Sequence, residues 1–344
     1  MRYDDLYLAG TGVWLPDLMP VGKAVADGLL DPRRAEEREF VSVAVAGEEH
    51  APPWMAAQAA RTALDRAGTA PEDVALLLHC SNWWQGLDVW AAASYVAQES
   101  GLRQAPAFEV IQRCNAGLGA LELAASRLTA ATDSRTAAVV TTGDRMSAPR
   151  IDRWNTLGIS FYGDAGTAVV VSRTSGFARL VASYTVADNS LEALGRGTEE
   201  LTPQPPAPGP WVDLEDRARS RVSLDLPDAG RRLATALNDA LDGILAESGL
   251  TMSDIARVVI PHTRQGSGRH ELHDLLGVPE ESTTWAFGAA VGHLTSGDQF
   301  AGLDHLLRTR AVAPGDHVLI WGGGAGYTCT AFVIEILDLP AWTA

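Results

Sequence analysis

The chain repeats one pattern at a fixed offset, and this constrains its fold more than any other feature. In the first half, Leu64-Asp65-Arg66-Ala67-Gly68 closes an amphipathic stretch, Pro71-Glu72-Asp73 follows, and the apolar run Val74-Ala75-Leu76-Leu77-Leu78 comes next. In the second half, Leu245-Ala246-Glu247-Ser248-Gly249, then Ser253-Asp254, then Ile255-Ala256-Arg257-Val258-Val259-Ile260 keep that order. Asp73 and Asp254 lie 181 positions apart (254 − 73), as do Gly68 and Gly249 (249 − 68). Gly143 ends the run Ala137–Thr142 and Gly324 ends the run Val318–Gly323, again 181 apart (324 − 143). An offset held across three elements marks an internal duplication.

Each half alternates short, nearly continuous apolar runs with amphipathic stretches. That grammar predicts parallel strands covered by helices on both faces. The expected fold is therefore α/β, two halves of about 1–173 and 174–344 packed as five layers, αβαβα. Between the repeats, residues 189–227 contain Leu201-Thr202-Pro203-Gln204-Pro205-Pro206-Ala207-Pro208-Gly209-Pro210. Prolines at that density exclude helix and central strand, so this segment is expected to be a long surface loop.

In open α/β sheets, ligands bind at the carboxyl ends of parallel strands. Four chemically capable segments fall there. Cys114 lies between the apolar run Phe108-Glu109-Val110-Ile111 and an Ala/Gly-rich helix pattern from Asn115 to Ala130. A thiol at a helix N-terminus meets unpaired N–H groups and the positive end of the dipole, which favour a thiolate. Ile260-Pro261-His262 follows the second-half strand directly. Gly292-His293-Leu294-Thr295-Ser296-Gly297-Asp298 is a turn into a helix, at the place Cys114 holds in the first half. Gly322-Gly323-Gly324-Ala325-Gly326 is a stretch where backbone N–H groups can approach a ligand. Thiol, imidazole, carboxylate and backbone donors together fit acyl transfer.

The net charge of −16 argues against a phosphate-tracking nucleic-acid binder and against an anionic membrane surface. Three cysteines, an odd number, make no disulfide framework, so a reducing cytoplasm is expected. No apolar run reaches membrane-spanning length and no signal-peptide pattern opens the chain. His270-Glu271-Leu272-His273 offers two histidines at helical spacing without further ligands, and a solvated helix face is favoured over a metal site.

The Cys114 turn, Phe161-Tyr162-Gly163-Asp164-Ala165-Gly166-Thr167-Ala168-Val169-Val170, Ile260-Pro261-His262, Gly292-His293-Leu294-Thr295-Ser296 and Gly322-Gly323-Gly324 together resemble the thiolase-fold ketoacyl-ACP synthase III family, over essentially the whole chain. The resemblance implies a duplicated thiolase-like fold, a homodimer, and an acyl-CoA or acyl carrier protein thioester as donor. It implies a Cys114 acyl-enzyme with an oxyanion hole from the N–H groups of Cys114 and Gly324, and no metal. It also places Arg153, with Arg150, Trp154 and more weakly Arg264 and Arg269, toward the phosphates and adenine of the donor. Trp83, Trp84 and Trp90 fall where the family builds its subunit interface and tunnel wall.

One departure decides the chemistry. The family's decarboxylating enzymes use Cys, His and Asn, and His293 stands at the Asn position. That pattern looks like the synthase-III-like acyltransferases of actinobacterial natural-product pathways, a class that includes the sugar malonyltransferase of cervimycin biosynthesis. It implies a Cys114-His293-Asp298 triad with His262 in support, esterifying a sugar or other natural-product acceptor. The alternatives are a starter-unit condensing enzyme, with His262 and His293 as a two-histidine site, and a silent ketosynthase partner subunit.

Overall fold

Nine strands make one sheet in this computed structural model, which describes residues 1–132, 134–203, 211–220, 226–264 and 272–343. In chain order they are β1 (Tyr7–Trp14), β2 (Val74–Cys80), β3 (Ala107–Val110), β4 (Ala137–Asp144), β5 (Ala165–Ser172), β6 (Ala178–Ala187), β7 (Ile255–Val259), β8 (His317–Gly323) and β9 (Thr328–Ile336). Their order across the sheet is β3-β2-β4-β5-β1-β6-β9-β8-β7. The duplication is visible in it. β4 pairs parallel with β2 and antiparallel with β5, and β8 pairs parallel with β7 and antiparallel with β9. The halves join where Tyr7 and Leu8 of β1 meet Arg179 and Ala178 of β6. The copies differ at one edge: where the first half has β3, the described residues of the second show a parallel bridge of Thr283 to Val258.

Side-chain alternation produces the layers. Ala138 and Val140 of β4 pack into the same central cluster as Val318 and Ile320 of β8, against Leu118 and Leu121 of the helix Ala116–Thr129 and Phe300 and Leu303 of the helix Asp298–Arg308. Ala137 and Val139 point outward, onto α1 (Pro52–Ala67) and α2 (Ala92–Glu99). Leu319 and Trp321 point outward in the other half, onto α4 (Leu226–Ser248) and α5 (Trp285–Val291). The two central helices, Ala116–Thr129 and Asp298–Arg308, are α3 and α6. This is the expected five-layered arrangement, with α3 and α6 in the middle. Strands β2, β4 and β5 are buried along their whole length, which is why they read as continuous apolar runs.

The segment expected to be a loop at 189–227 is partly helical. Short helices cover Glu192–Arg196 and Leu214–Arg219, the second capped by Asp213, which accepts from the Asp216 N–H. Helix forms at both flanks of the proline cluster, where N–H donors and a capping carboxylate are available. Residues 204–210 of that cluster, with Arg269, His270 and Glu271, lie outside the described residues.

Candidate active site

The two central helices meet at their N-termini. Gly117 in the first turn of α3 lies so near the Ser296 carbonyl that a Cβ there would sit 2.3 Å from it. This contact brings the turn carrying Cys114 against the turn carrying His293. Cys114 belongs to a single 3-10 turn, Arg113–Asn115, that runs into α3, and Arg113 holds a left-handed φ of 54°. Buried Asn115 fixes the turn by donating to the hydroxyls of Thr328 and Thr330 on β9, both at 2.9 Å.

Three groups then line up. Cys114 Sγ lies 3.2 Å from His293 Nε2, and His293 Nδ1 lies 2.6 Å from Asp298 Oδ2. The His293 backbone is held on both sides by the Phe161–Gly163 segment: its N–H donates to Phe161 O and its carbonyl accepts from the Gly163 N–H. The Tyr162 ring stacks on the imidazole, centroids 5.6 Å apart. Asp298 opens α6, where the helix dipole favours a carboxylate. It also accepts from the N–H groups of His262 (2.7 Å) and Leu294 (2.6 Å).

Electrostatics follow from this packing. Burial pushes the His293 imidazole down, but Asp298 and Cys114 outweigh it and hold its pKa well above the ordinary 6.5. Burial pushes Asp298 up, and the two histidines outweigh it and hold the carboxyl below its ordinary 3.8. An imidazole so placed can take the thiol proton and keep the resulting charge next to a carboxylate. The other two cysteines are poorly suited to reaction: burial pushes the Cys80 thiol strongly up and Cys329 to about 11.

His262, expected in support of the triad, lies against Asp298. It is fully buried, and its Nδ1 lies 2.9 Å from Gly292 O and 3.0 Å from Asp298 Oδ1. Among the described residues no hydrogen bond joins it to Cys114. Both histidines therefore converge on Asp298, and only His293 reaches the sulfur.

The backbone at 324 is pressed against the thiol turn. A Cβ on Gly324 would meet Cys114 N and Cβ at 3.0 Å and Asn115 N at 3.1 Å. Gly324→Ala is expected to intrude on the space over the Cys114 N–H and slow acylation of Cys114 by about 10²-fold, the scale of one lost oxyanion donor. Stopped-flow release of coenzyme A measures this, with circular dichroism confirming the fold.

The arginine and tryptophan expected on the donor are committed elsewhere. Arg153 Nη1 and Nη2 lie 3.1 and 2.9 Å from the two oxygens of buried Asp164, and Nη1 also donates to Tyr162 O. A fork spent on a buried carboxylate is not free for phosphate; it braces the segment that holds His293. Trp154 is 4% exposed and packs edge-on against Phe161, leaving no face for adenine. Arg264 pairs with Glu39 and Glu280 and lies over the Trp285 ring. The exposed aromatic in this neighbourhood is Trp211, which lines a groove of about 370 Å³ with Leu29, Pro149 and Ile151. Trp211 follows the proline cluster directly, and no periodicity there gave a sequence signal for it. His273 faces Asp274 and Glu280, and among the described residues no three His, Cys, Asp or Glu side chains gather in a way that would hold a metal.

Sequence reading also missed Asp144 and Thr295. Asp144, at the carboxyl end of β4, accepts from the N–H groups of Asn82 (2.8 Å) and Trp83 (3.0 Å) and from the Thr295 hydroxyl. Burial pushes its carboxyl up to about 6, despite the bonds that pull it down. An acid directly after the Gly143 that carries the repeat was the available signal.

Duplicated strands, paired central helices and a thiol at their junction define an enzyme of the thiolase-fold class. Models of the 3-oxoacyl-(acyl-carrier-protein) synthase III family match residues 108–189 and, for its C-terminal part, 245–336. A β-ketoacyl-(acyl-carrier-protein) synthase III of Rhizorhabdus wittichii is 28% identical over 295 residues, 85% of this chain and 86% of the relative. The solved structure of ChlB3, described as an acyltransferase, superposes with a TM-score of 0.92 at 34% identity, covering 98% of this chain and 100% of that one. The priming β-ketosynthase of the R1128 polyketide pathway shares the fold, with a TM-score of 0.75 at 20% identity. The chain belongs to the ketoacyl synthase III-like, thiolase-fold family of enzymes.

Proposed function

We propose that the protein is an acyltransferase that passes an acyl group, by way of Cys114, from an acyl-CoA or acyl carrier protein thioester to a hydroxyl or amine of a natural-product acceptor, a sugar in the first instance. The observation that carries this is the line Cys114–His293–Asp298, at 3.2 and 2.6 Å. His293 takes the thiol proton, and Cys114 sulfur attacks the thioester carbonyl. The N–H groups of Cys114 and Gly324 stabilise the oxyanion. The old carbon–sulfur bond breaks and the carrier thiol leaves with the proton from His293. His293 then takes the proton of the acceptor hydroxyl, whose oxygen attacks the acyl carbon, and Cys114 leaves and is reprotonated. No carbon dioxide is lost.

His293 at the asparagine position of the condensing enzymes, backed by Asp298, favours this over decarboxylative condensation. A two-histidine condensing site is the alternative, and the observation that keeps it is His262 Nε2, buried and without a hydrogen-bond partner among the described residues while Nδ1 faces Gly292 O. The resemblance to ChlB3 supports acyl transfer, and the assembled triad speaks against a silent partner. The test is whether the acyl group arrives intact on oxygen or nitrogen.

The donor entry is assigned to the groove at Trp211. A cytoplasmic homodimer is part of the same proposal, supported by the apolar edge of the sheet. Strand β3 ends the sheet, and Phe108 (59% exposed) on it and Ile111 (66%) just after it are large exposed apolar side chains, as are Leu87 and Trp90 earlier in the chain. An unpaired edge with large apolar side chains is a template for a second copy. Phe108→Glu is expected to convert a dimer into a monomer in light scattering after gel filtration; a wild-type mass for the variant contradicts this placement.

A further inference from the structure

Arg113, the residue before the nucleophile, is not what its turn requires. Its φ of 54° is left-handed, a conformation that glycine or asparagine takes more readily than a long side chain. Nor does the fold use its charge. Arg66, Arg153 and Arg179 each meet a carboxylate, whereas the partly buried Arg113 has no ion pair among the described residues. Its guanidinium makes one long hydrogen bond, from Nη1 to Asn82 O at 3.5 Å.

The groups around it lead to the catalytic base. Asp144 fixes Asn82, accepting from its N–H at 2.8 Å and from its Nδ2 at 3.3 Å, and also takes the hydroxyl of Thr295, two residues past His293. The Tyr162 ring stacks on His293. Burial pushes the Tyr162 phenol up, the Cys114 charge adds to this, and the Arg113 charge opposes it. Guanidinium, thiol and phenol therefore sense one another across one space. Among the described residues the Tyr162 hydroxyl has no hydrogen bond, and Asn82 Oδ1 is shielded and without a partner.

Open guanidinium donors beside a nucleophile suit an anion on the group that the nucleophile carries. Asp144 does not fill that role. Its oxygens are taken by the N–H groups of Asn82 and Trp83 and by Thr295, and among the described residues it forms no ion pair. A plain alkyl chain would cover the guanidinium and the phenol and leave both without partners, an unfavourable burial.

We propose that Arg113 binds a carboxylate at the far end of the acyl group, so that the donor is a monothioester of a dicarboxylic acid. The inference rests on the acyl-transfer reading above and adds the chemical class of the acyl group and the residue that selects it. In loading, the bond from Cys114 sulfur to the acyl carbon forms, the carrier's carbon–sulfur bond breaks, and the carboxylate takes no part. For a malonyl group the ion pair also opposes loss of carbon dioxide. That step moves negative charge from the carboxylate to the adjacent carbon, away from the guanidinium, so the arginine stabilises the ground state over the transition state.

The test is the rate of Cys114 loading, followed by intact mass, from three acyl groups: malonyl, its neutral amide malonamyl, and its apolar isostere isovaleryl. Each is presented on coenzyme A and on an acyl carrier protein. The wild type is expected to load malonyl about 10–10²-fold faster, at limiting concentration, than either neutral group, the scale of a charge-assisted contact. Arg113→Asn removes the guanidinium and suits the left-handed turn, and is expected to bring that ratio to one or below. Arg113→Lys, which keeps the charge without the fork, is expected to recover part of it. Equal or faster loading of a neutral group by the wild type overturns the proposal, even where a variant fails to fold. An unchanged ratio in Arg113→Asn overturns it too, and no loading from any donor overturns both readings. A neutral acyl group loaded in preference and delivered to an acceptor refutes the role of Arg113 and spares acyl transfer. Malonyl loaded in preference and then losing carbon dioxide does the reverse.

Discussion

His293→Ala is expected to separate the two half-reactions. Cys114 loses its base, yet a cysteine is a few per cent thiolate at neutral pH and attacks a thioester without help. Acylation should therefore slow and still proceed. Transfer is harder, because an acceptor hydroxyl has no comparable anion at that pH and must lose its proton as it attacks. Removing the general base is expected to slow transfer by about 10²–10⁴-fold. The variant should accumulate acyl-enzyme that a wild-type sample turns over. Quenched-flow mass spectrometry reads both steps, and equal slowing of the two would show that His293 is not the base for transfer.

Asp298→Asn is expected to damage both catalysis and stability, because Asp298 serves four groups at once. Two backbone N–H groups and the Nδ1 atoms of His262 and His293 converge on its two oxygens, with the side chain fully buried. Asparagine offers one acceptor oxygen in their place. Loss of tautomer control over His293 is expected to lower kcat by about 10³–10⁴-fold. Breaking a buried charge pair costs about 3–5 kcal/mol.

The pH dependence has a definite sign. His293 is raised in the folded state, so its contribution to stability is complete below its unfolded value near 6.5 and fades as pH rises through the folded value. Asp298 is lowered, so its contribution is complete above its unfolded value near 3.8 and fades as pH falls through the folded value. The pair stabilises most between those limits, and denaturant titrations of Asp298→Asn should show the largest deficit there. The acid limb of the transfer rate should also move to lower pH in the variant, since His293 no longer has a carboxylate to keep it protonated. An unmoved limb contradicts the assignment of His293 as the titrating base.

Much of this was legible in the chain because duplication turns sequence position into spatial position. The 181-residue offset from Asp73 to Asp254 correctly predicted equivalent strands, β2 and β7, and hence opposed helix starts at Cys114 and Asp298. The spacing of His293 and Asp298 across one turn was enough to expect their contact. What sequence could not give was direction. Whether His262 faced the sulfur or the carboxylate depended on Gly292 O and on α5 packed behind it, contacts that lie 30 residues away in sequence. Arg153 was read as a phosphate fork because nothing local reveals that Asp164 is buried and needs a partner. The same holds for Trp154, whose burial against Phe161 is set by long-range packing. Trp211 was hidden for the opposite reason, since a proline-rich insertion carries no periodicity to place it.

Cys114 is proposed to carry an acyl group which His293 and Asp298 deliver to a heteroatom without loss of carbon dioxide. The most direct measurement is intact mass of the wild type and of Cys114→Ala after exposure to a panel of acyl-CoAs and acyl carrier proteins that includes malonyl, then a chase with a glycoside acceptor. The expected result is a wild-type adduct of the complete acyl mass on Cys114, its disappearance into an ester or amide of the same acyl mass, and neither event in Cys114→Ala. Release of carbon dioxide with a ketoacyl product, or wild-type rates of transfer by Cys114→Ala, would contradict it.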